Sequence, residues 1–131
     1  MWSVPDAYLD LFEKPSIATF ATMLPSGHPH VTPVWIGYDG EHLLVNTARG
    51  RRKERNVREN PAVGVSVIDP DDFYRYLSVY GEVTALREAG AVEHIHDLSR
   101  RYTGEAYGNL DDEDGARVII EITPDHVIAD G

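Results

Sequence analysis

A small antiparallel β-barrel with two helices on its outside is the fold this sequence predicts, and three observations predict it. Six strand-like runs rich in β-branched and aromatic residues follow one another at hairpin-length spacing, which a parallel sheet with its long crossovers does not allow. Only two stretches break that pattern, and no internal repeat or low-complexity run appears. The 131 residues are one domain's worth of chain, with about two-thirds of the unfolded surface available for burial, so residues 1–131 are expected to form a single domain.

The elements follow in order. "SIATFATM" (Ser16 to Met23) is β-branched and small, and the "LPSG" after it is turn chemistry, so it reads as a strand ending near Leu24. "HVTPVWIGYDGEHLLVNT" reads as two strands around a two-residue turn at Asp39-Gly40. Pro33 donates no ladder hydrogen bond, so its neighbourhood belongs at a sheet edge, a bulge or a ligand-facing position. "AVGVSVIDP" is a fourth strand, "RYLSVYGEVTALRE" a long fifth after the acidic turn "DPDD", and "ARVIIEITPDHVIADG" a sixth. Arg51 to Glu59 lacks a β-branched run apart from Val57 and stops at Asn60-Pro61, which makes it a short helix, apolar almost nowhere and therefore exposed. Glu88 to Gly104 places Ala91, Val92, Ile95, Leu98 and Tyr102 at helical spacing, with Gly104 as the stop.

Composition narrows the function classes. Hydrophobic content of 42% and charged content of 26% are ordinary for a globular chain. Cysteine is absent, which excludes disulfides and thiolate metal sites, and no apolar run approaches the ~20 residues of a membrane span. The acidic opening "MWSVPDAYLDLFEKP" is unlike a secretory signal, so the cytoplasm is the expected compartment. A formal net charge of −10 argues against nucleic-acid binding, which depends on neutralising phosphates.

The charge is nevertheless uneven. Arg49 to Arg58 holds six of the twelve Lys and Arg residues within ten positions. Arg51, Arg52, Lys53 and Arg55 crowd the start of a helix, whose N-terminus already carries about half a positive charge and prefers acids by roughly 0.3 to 1 kcal/mol each. Local electrostatics are therefore wrong for the empty chain, and a bound phosphate would reverse the sign. The plainer alternative is a solvated charged face softened by Glu54 and Glu59.

A strand, then "TARGRRKERNVRENPAVGVSV", then another strand resembles the signature segment of the pyridoxamine-phosphate-oxidase-like flavin and deazaflavin proteins. "IATFATMLPSGHPHVTPVWIGYDGEHLLVNT" resembles the same superfamily's opening, so the likeness is good from about Ser16 to Tyr80. It implies a six-stranded split β-barrel working as a homodimer, with the cofactor site between subunits. It further implies that Arg51, Arg52 and Lys53 hold the cofactor's phosphate. Backbone at Thr32, Pro33, Val34 and Trp35 and at Asn46, Thr47 and Ala48 would line a tricyclic ring. Oxidases of pyridoxamine phosphate carry an arginine and a lysine where this chain has Thr32 and Gly37, and they finish with an Arg-x-His motif that "HVIADG" lacks. The resemblance is therefore to the branch that uses coenzyme F420, a deazaflavin with a phosphate and an acidic oligoglutamate tail. Arg49, Arg55 and Arg58 are surplus to one phosphate and would serve as a track for that tail, with FMN as the alternative cofactor.

Other patterns carry less chemistry. His28 and His30 could present two imidazoles to a metal, but no third ligand is evident and Pro29 suggests a turn. His94 and His96 diverge on a helix, and Glu93 and Asp97 add surface charge. Trp35, Tyr74, Tyr76 and Tyr80 read mainly as core or subunit contacts, with Tyr74 to Tyr80 as the candidate dimer strand. No Ser-His-Asp order or defensible carboxylate pair is present, so no catalytic side chain and no metal site are assigned, in keeping with a cofactor that carries the reaction. The expected function is hydride transfer from the reduced deazaflavin C5 to a small organic acceptor, with a non-catalytic flavin or deazaflavin carrier as the competing class. The segment "TGEAYGNLDDEDG" reads as a flexible acidic loop that helps build the acceptor pocket.

Overall fold

The computed structural model describes residues 2–110 and 115–131. A short 3₁₀ helix, Asp6–Phe12, comes first. Then follow β1 (Ile17–Met23), β2 (Pro29–Val34), β3 (Ile36–Tyr38), β4 (Leu43–Ala48), α1 (Arg52–Glu59), β5 (Ala62–Asp69), β6 (Asp72–Arg87), α2 (Ala91–Thr103) and β7 (Arg117–Asp130). The strands form one antiparallel seven-stranded sheet in the order β2-β1-β5-β6-β7-β4-β3, a split β-barrel with α2 packed on its outer side.

Seven strands stand where six were expected. The run from His30 to Tyr38 is continuous in β propensity, yet Ala18 to Met23 pairs with the part before Trp35 and Leu43 to Val45 with the part after it. The chain turns a corner at Trp35 and leaves one half on each edge of the sheet. Pro33 lies in β2, which has a strand neighbour on one side only, so the proline sits where an edge was expected. The Asp39-Gly40 hairpin is longer than two residues, since β3 ends at Tyr38 and β4 begins at Leu43. Asp39 Oδ1 accepts the backbone N–H groups of Glu41 and His42 at 2.8 and 2.6 Å and so closes that loop.

Alternation puts Ala18 and Phe20 of β1, Val63, Val65 and Val67 of β5, Leu77 and Val79 of β6, and Ile120 and Ile122 of β7 inside the barrel. Each large side chain buried there contributes roughly 1.5–3 kcal/mol of transfer free energy. The 3₁₀ helix, which has no clear periodic signal in the sequence, adds Leu11 and Phe12 to this core. On the outer side, Ala91, Ile95 and Leu98 of α2 are buried, and Ala91 packs with Leu44 and Ile119. Helix α2 ends at Thr103 against Gly104, whose φ of +86° no β-carbon would tolerate easily.

Helix α1 differs from expectation in its burial. It is charged, but Glu54, Asn56 and Val57 are buried, because eight residues with a polar sequence still turn one face inward. Asn56 Nδ2 donates to Thr22 Oγ1 at 3.0 Å, and Asn56 Oδ1 accepts Arg52 Nε at 2.9 Å, which ties the helix to β1.

Candidate cofactor-binding site

The corner at Trp35 creates the site. Residues 46–48 of β4 pair with β7 on one side only, and β2 has its outer edge open. Two unsealed strand edges therefore face the same gap in the barrel. A cavity of about 340 Å³ occupies it, lined by Pro33, Val34, Trp35, Asn46, Thr47, Arg51, Lys53, Ile95, Leu98, Tyr107 and Arg117. Seven of the ten residues singled out in the sequence come together here: Pro33, Val34, Trp35, Asn46, Thr47, Arg51 and Lys53. Thr32, Ala48 and Arg52 do not line it. Arg52 is drawn away by Asn56, whereas Thr32 and Ala48 are neighbours of lining residues in the strands.

The cavity is cationic at the helix start. Lys53 is half-buried, not exposed as its place in a charged helix suggested, and among the described residues no ion pair or hydrogen bond engages its ammonium. Burial holds its pKa below the ordinary lysine value, and the charges of Arg51 and Arg117 push it the same way. Among the described residues Thr47 Oγ1, in the cavity wall, is buried without a hydrogen-bond partner, as is Thr32 Oγ1 in the neighbouring β2 strand. Unpaired buried hydroxyls cost free energy and are rare, so a cavity with like charges and orphaned donors has the chemistry of an anion site. A phosphate fits these residues: Lys53 and Arg51 would supply charge and Thr47 a hydroxyl donor.

The helix start itself is not short of negative charge, and here the sequence reading is corrected. Glu54 is fully buried and reaches back to accept Gly50 N–H at 2.7 Å. Gly50, at φ +90°, makes the turn that permits this. Arg58 Nε lies 2.6 Å and Arg49 Nη1 3.4 Å from Glu54 Oε2, and Arg49 Nε also pairs with Glu88 at 3.1 Å. Arg49 and Arg58 are thus engaged within the chain and do not form a free track for an acidic tail. Arg55 remains exposed with no partner among the described residues.

Residues distant in sequence complete the cavity wall. Arg117 is buried and enters at the start of β7, opposite Ala48 in register. Its Nε donates to Asn46 Oδ1 at 2.9 Å, and its guanidinium lies 5.2 Å from the Tyr107 ring centroid. Asn46 Nδ2 donates to Ala91 O at 2.8 Å and to His94 Nδ1 at 3.0 Å. The Asn46 amide is therefore committed to α2 and Arg117, and any contact it makes with a ring is through its backbone. Burial, reinforced by Arg101, Arg87 and Arg117 and opposed by Asp97, lowers the His94 pKa to about 4, so it accepts as a neutral imidazole. His94 Nε2 lies against Gly37, where a β-carbon would approach to 3.2 Å. His96 goes elsewhere and accepts Tyr107 N–H on Nδ1 at 3.1 Å.

Helix α2 also fixes the corner. Arg101 donates to Ile36 O at 2.7 Å, and Tyr102 Oη accepts Ile36 N–H at 3.4 Å while donating to Ser16 O at 2.8 Å. The Tyr102 and Trp35 rings stack with centroids 5.5 Å apart, and Tyr107 meets Trp35 edge-on at 6.2 Å. Trp35 is thus a cavity wall as well as a packed residue. Tyr107, Ile95, Leu98 and Arg117 carry no local signal that distinguishes them; only the β4–β7 register and the position of α2 bring them here. Of the acidic loop, residues 111–114 lie outside the described residues.

Comparison with known proteins places the chain. The family model of pyridoxamine 5′-phosphate oxidase matches residues 4–129. A solved structure of an F420 reductase is 38% identical, with 95% of this chain and 98% of that one covered and a TM-score of 0.83. A conserved hypothetical protein of Mycobacterium tuberculosis is 24% identical, with 97% and 84% covered and a TM-score of 0.74. General stress protein 26 of Bacillus anthracis is 20% identical, with 92% and 88% covered and a TM-score of 0.68. The last two share the fold. No functionally curated protein matches significantly.

Proposed function

The chain belongs to the pyridoxamine 5′-phosphate oxidase family, and on that premise we propose that it is a coenzyme F420-dependent oxidoreductase reducing a small organic acceptor. One observation carries the reading: Arg51 and Lys53 line a cavity together with the Thr47 hydroxyl, between two open strand edges, and among the described residues neither the Lys53 ammonium nor that hydroxyl has a hydrogen-bond partner. Lys53 and Arg51 hold the phosphate, with Thr47 as hydroxyl donor and Arg52 as a brace through Asn56. Backbone at Pro33, Val34, Trp35, Asn46, Thr47 and Ala48 lies along the ring. The cofactor, when bound, supplies the hydride, and the protein's residues bind, orient and shield it from water. The 38% identity to an F420 reductase supports this choice of cofactor.

The working unit is a homodimer. Ile17, Val31, Tyr80 and Ile128 are 46–60% exposed. The strand registers set them on one outer face of β2, β1, β5, β6 and β7. That face runs up to the open edge of β2, so a second copy seated on it borders the cavity. A monomeric mass by light scattering with cofactor bound would count against it.

FMN is the second reading, favoured by one observation: Arg49 and Arg58 are occupied by Glu54 and do not await an acidic tail. Equilibrium fluorescence titration with both cofactors decides. F420 is expected to bind more tightly and its reduced form to be oxidised when an artificial acceptor is added. Stoichiometric FMN in the purified protein, or tenfold tighter FMN binding, would transfer the assignment to FMN. Tight F420 binding without any turnover would favour a carrier.

A further inference from the structure

The Asn46 side chain makes three hydrogen bonds, and only one arrangement of protons satisfies them together. From it we infer that His94 is a positioning residue of the cofactor site: neutral, with its hydrogen on Nε2, it fixes the Asn46 amide and through it seats α2 on the cavity wall. The effect on binding rests on the F420 or flavin reading above; the effect on Asn46 does not.

Arg117 Nε can only donate and the Ala91 carbonyl can only accept, so the Asn46 amide has one orientation, oxygen toward Arg117 at 2.9 Å and nitrogen toward Ala91 at 2.8 Å. Its nitrogen also donates to His94 Nδ1, 3.0 Å away, and that ring nitrogen must be bare to accept. A neutral imidazole then carries its hydrogen on Nε2. Nε2 is buried without a hydrogen-bond partner among the described residues and lies against Gly37, where an added β-carbon would stand 3.2 Å from it. Glycine at that position is what leaves room for the ring.

Everything around the ring keeps it neutral. Burial disfavours a proton on it, and so do three of the four charges that face it: Arg101 of α2, Arg87 at the end of β6 and Arg117 of β7, with Asp97 of α2 opposed. Glu121 pairs with Arg87 at 2.8 Å and softens that contribution, while β3 and β4 meet the ring with Gly37 and Asn46, which carry no charge. A proton on Nδ1 would turn the acceptor into a second donor facing Asn46. The amide could not flip to receive it without setting its nitrogen against Arg117 and its oxygen against Ala91 O. This matters to the cavity because both elements tied by Asn46 line it, β4 through Asn46 and Thr47 and α2 through Ile95 and Leu98. The apolar packing of Ala91 on Leu44 and Ile119 is non-directional, whereas the Asn46 bonds fix the first turn of α2 in register with β4.

The test reads the proton arrangement first and binding second. In nitrogen NMR spectra of the isotope-labelled full chain, without cofactor and at neutral pH, His94 should show a protonated Nε2 and a bare Nδ1. The Asn46 side-chain protons should exchange with solvent at least about tenfold more slowly than those of the exposed Asn60. His94→Leu should speed that exchange, and weaken F420 or FMN binding, each by at least about fivefold, the worth of one hydrogen bond. His94→Gln, which keeps an acceptor, should restore both to within about twofold of wild type. A hydrogen on Nδ1, an Asn46 exchange rate indifferent to His94→Leu, or a His94→Gln variant no better than His94→Leu overturns the inference, the last because ring volume and not the acceptor would then matter. Unweakened cofactor binding in a His94→Leu protein whose Asn46 is released overturns the role in the site. If His94→Leu does not fold by circular dichroism, Gly37→Ala decides: its β-carbon displaces the ring, so the His94 Nε2 and Asn46 side-chain resonances should shift together, and unmoved Asn46 resonances overturn the inference. If the wild type binds neither F420 nor FMN, the cofactor reading fails, and the tautomer and the exchange comparison still decide on His94.

Discussion

The basic segment from Arg49 to Arg58 divides into two halves that differ in counter-charge. Arg49 and Arg58 close on the buried Glu54, which Glu88 supports through Arg49. Arg51 and Lys53 line the cavity that Arg117 also enters, and Lys53 has a lowered pKa because burial and two like charges oppose its ammonium. Helical phase makes the division: residues 54 and 58 lie four apart on one face, while 53 points elsewhere. A charge run in a sequence is therefore not one feature. Where the run closes on a buried acid it is architecture, and where it lines the cavity it is the part proposed to bind.

Removing the balancing acid should have the largest effect. Glu54→Gln leaves the partly exposed Arg49 and Arg58 facing a neutral group and weakens the hydrogen bonds of a fully buried carboxylate, a loss of about 1.5–3 kcal/mol. Urea unfolding should show that loss, with α1 destabilised first. A stability within about 0.5 kcal/mol of wild type would show that Glu54 balances nothing, and the contrast between the halves would collapse.

Acid should act on the wall behind the cavity through His94. His94 has a pKa of about 4 in the fold against 6.5 when free. The folded value is depressed, so the stability it confers is complete above pH 6.5 and drains away as pH falls toward 4. At 1.36 kcal/mol per unit the total is at most about 3 kcal/mol. His94→Gln, which can keep an acceptor for Asn46, should flatten the stability profile across that window. An unchanged profile would show that protonation of His94 is not what acid acts on.

Lys53 sharpens the comparison from the other side, because substitution should move binding and stability in opposite directions. Lys53→Met should weaken F420 or FMN binding by about 1.5–3 kcal/mol, the range for a hydrogen bond to a charged group. The apo protein should melt at the same temperature or higher, since an unpaired, partly buried charge is removed and its apolar stem retained. A lower apo melting point would make Lys53 structural and place it with Glu54.

The strands, their hairpin order and the stop at Gly104 were legible in the sequence because alternation and turn chemistry are local. Pro33 announced its edge for the same reason. The break at Trp35 was not legible, since nothing local separates Thr32 to Tyr38 into two strands; only the choice of partner does. Half of the candidate site was legible as well. Arg51 and Lys53 stood out against the wrong end of a helix dipole, and the burial of Glu54 that accompanies them did not, because eight polar residues give no apolar stripe to show which face turns in. Arg117 reaches the cavity through a register between strands, opposite Ala48, 69 residues away in sequence, and Tyr107 through the chain that follows α2, and no nearby pattern encodes either.

The smallest expected effect belongs to Arg55, and it bears on the cofactor. With Arg49 and Arg58 committed to Glu54, Arg55 is the exposed cation of α1 left for an acidic tail. An exposed pair contributes less than about 1 kcal/mol and is screened within about 10 Å at 0.1 M salt. Arg55→Gln should therefore weaken F420 by less than about fivefold at low salt, with no effect at high salt and none on FMN, which has no tail. The margin of F420 over FMN must then come mainly from the ring wall and the phosphate end, and it should narrow only slightly as salt rises. A loss beyond about tenfold, or an equal loss for FMN, would mean that Arg55 reaches the phosphate itself. In that case the cavity-lining half of the segment would extend two residues further along α1 than Lys53.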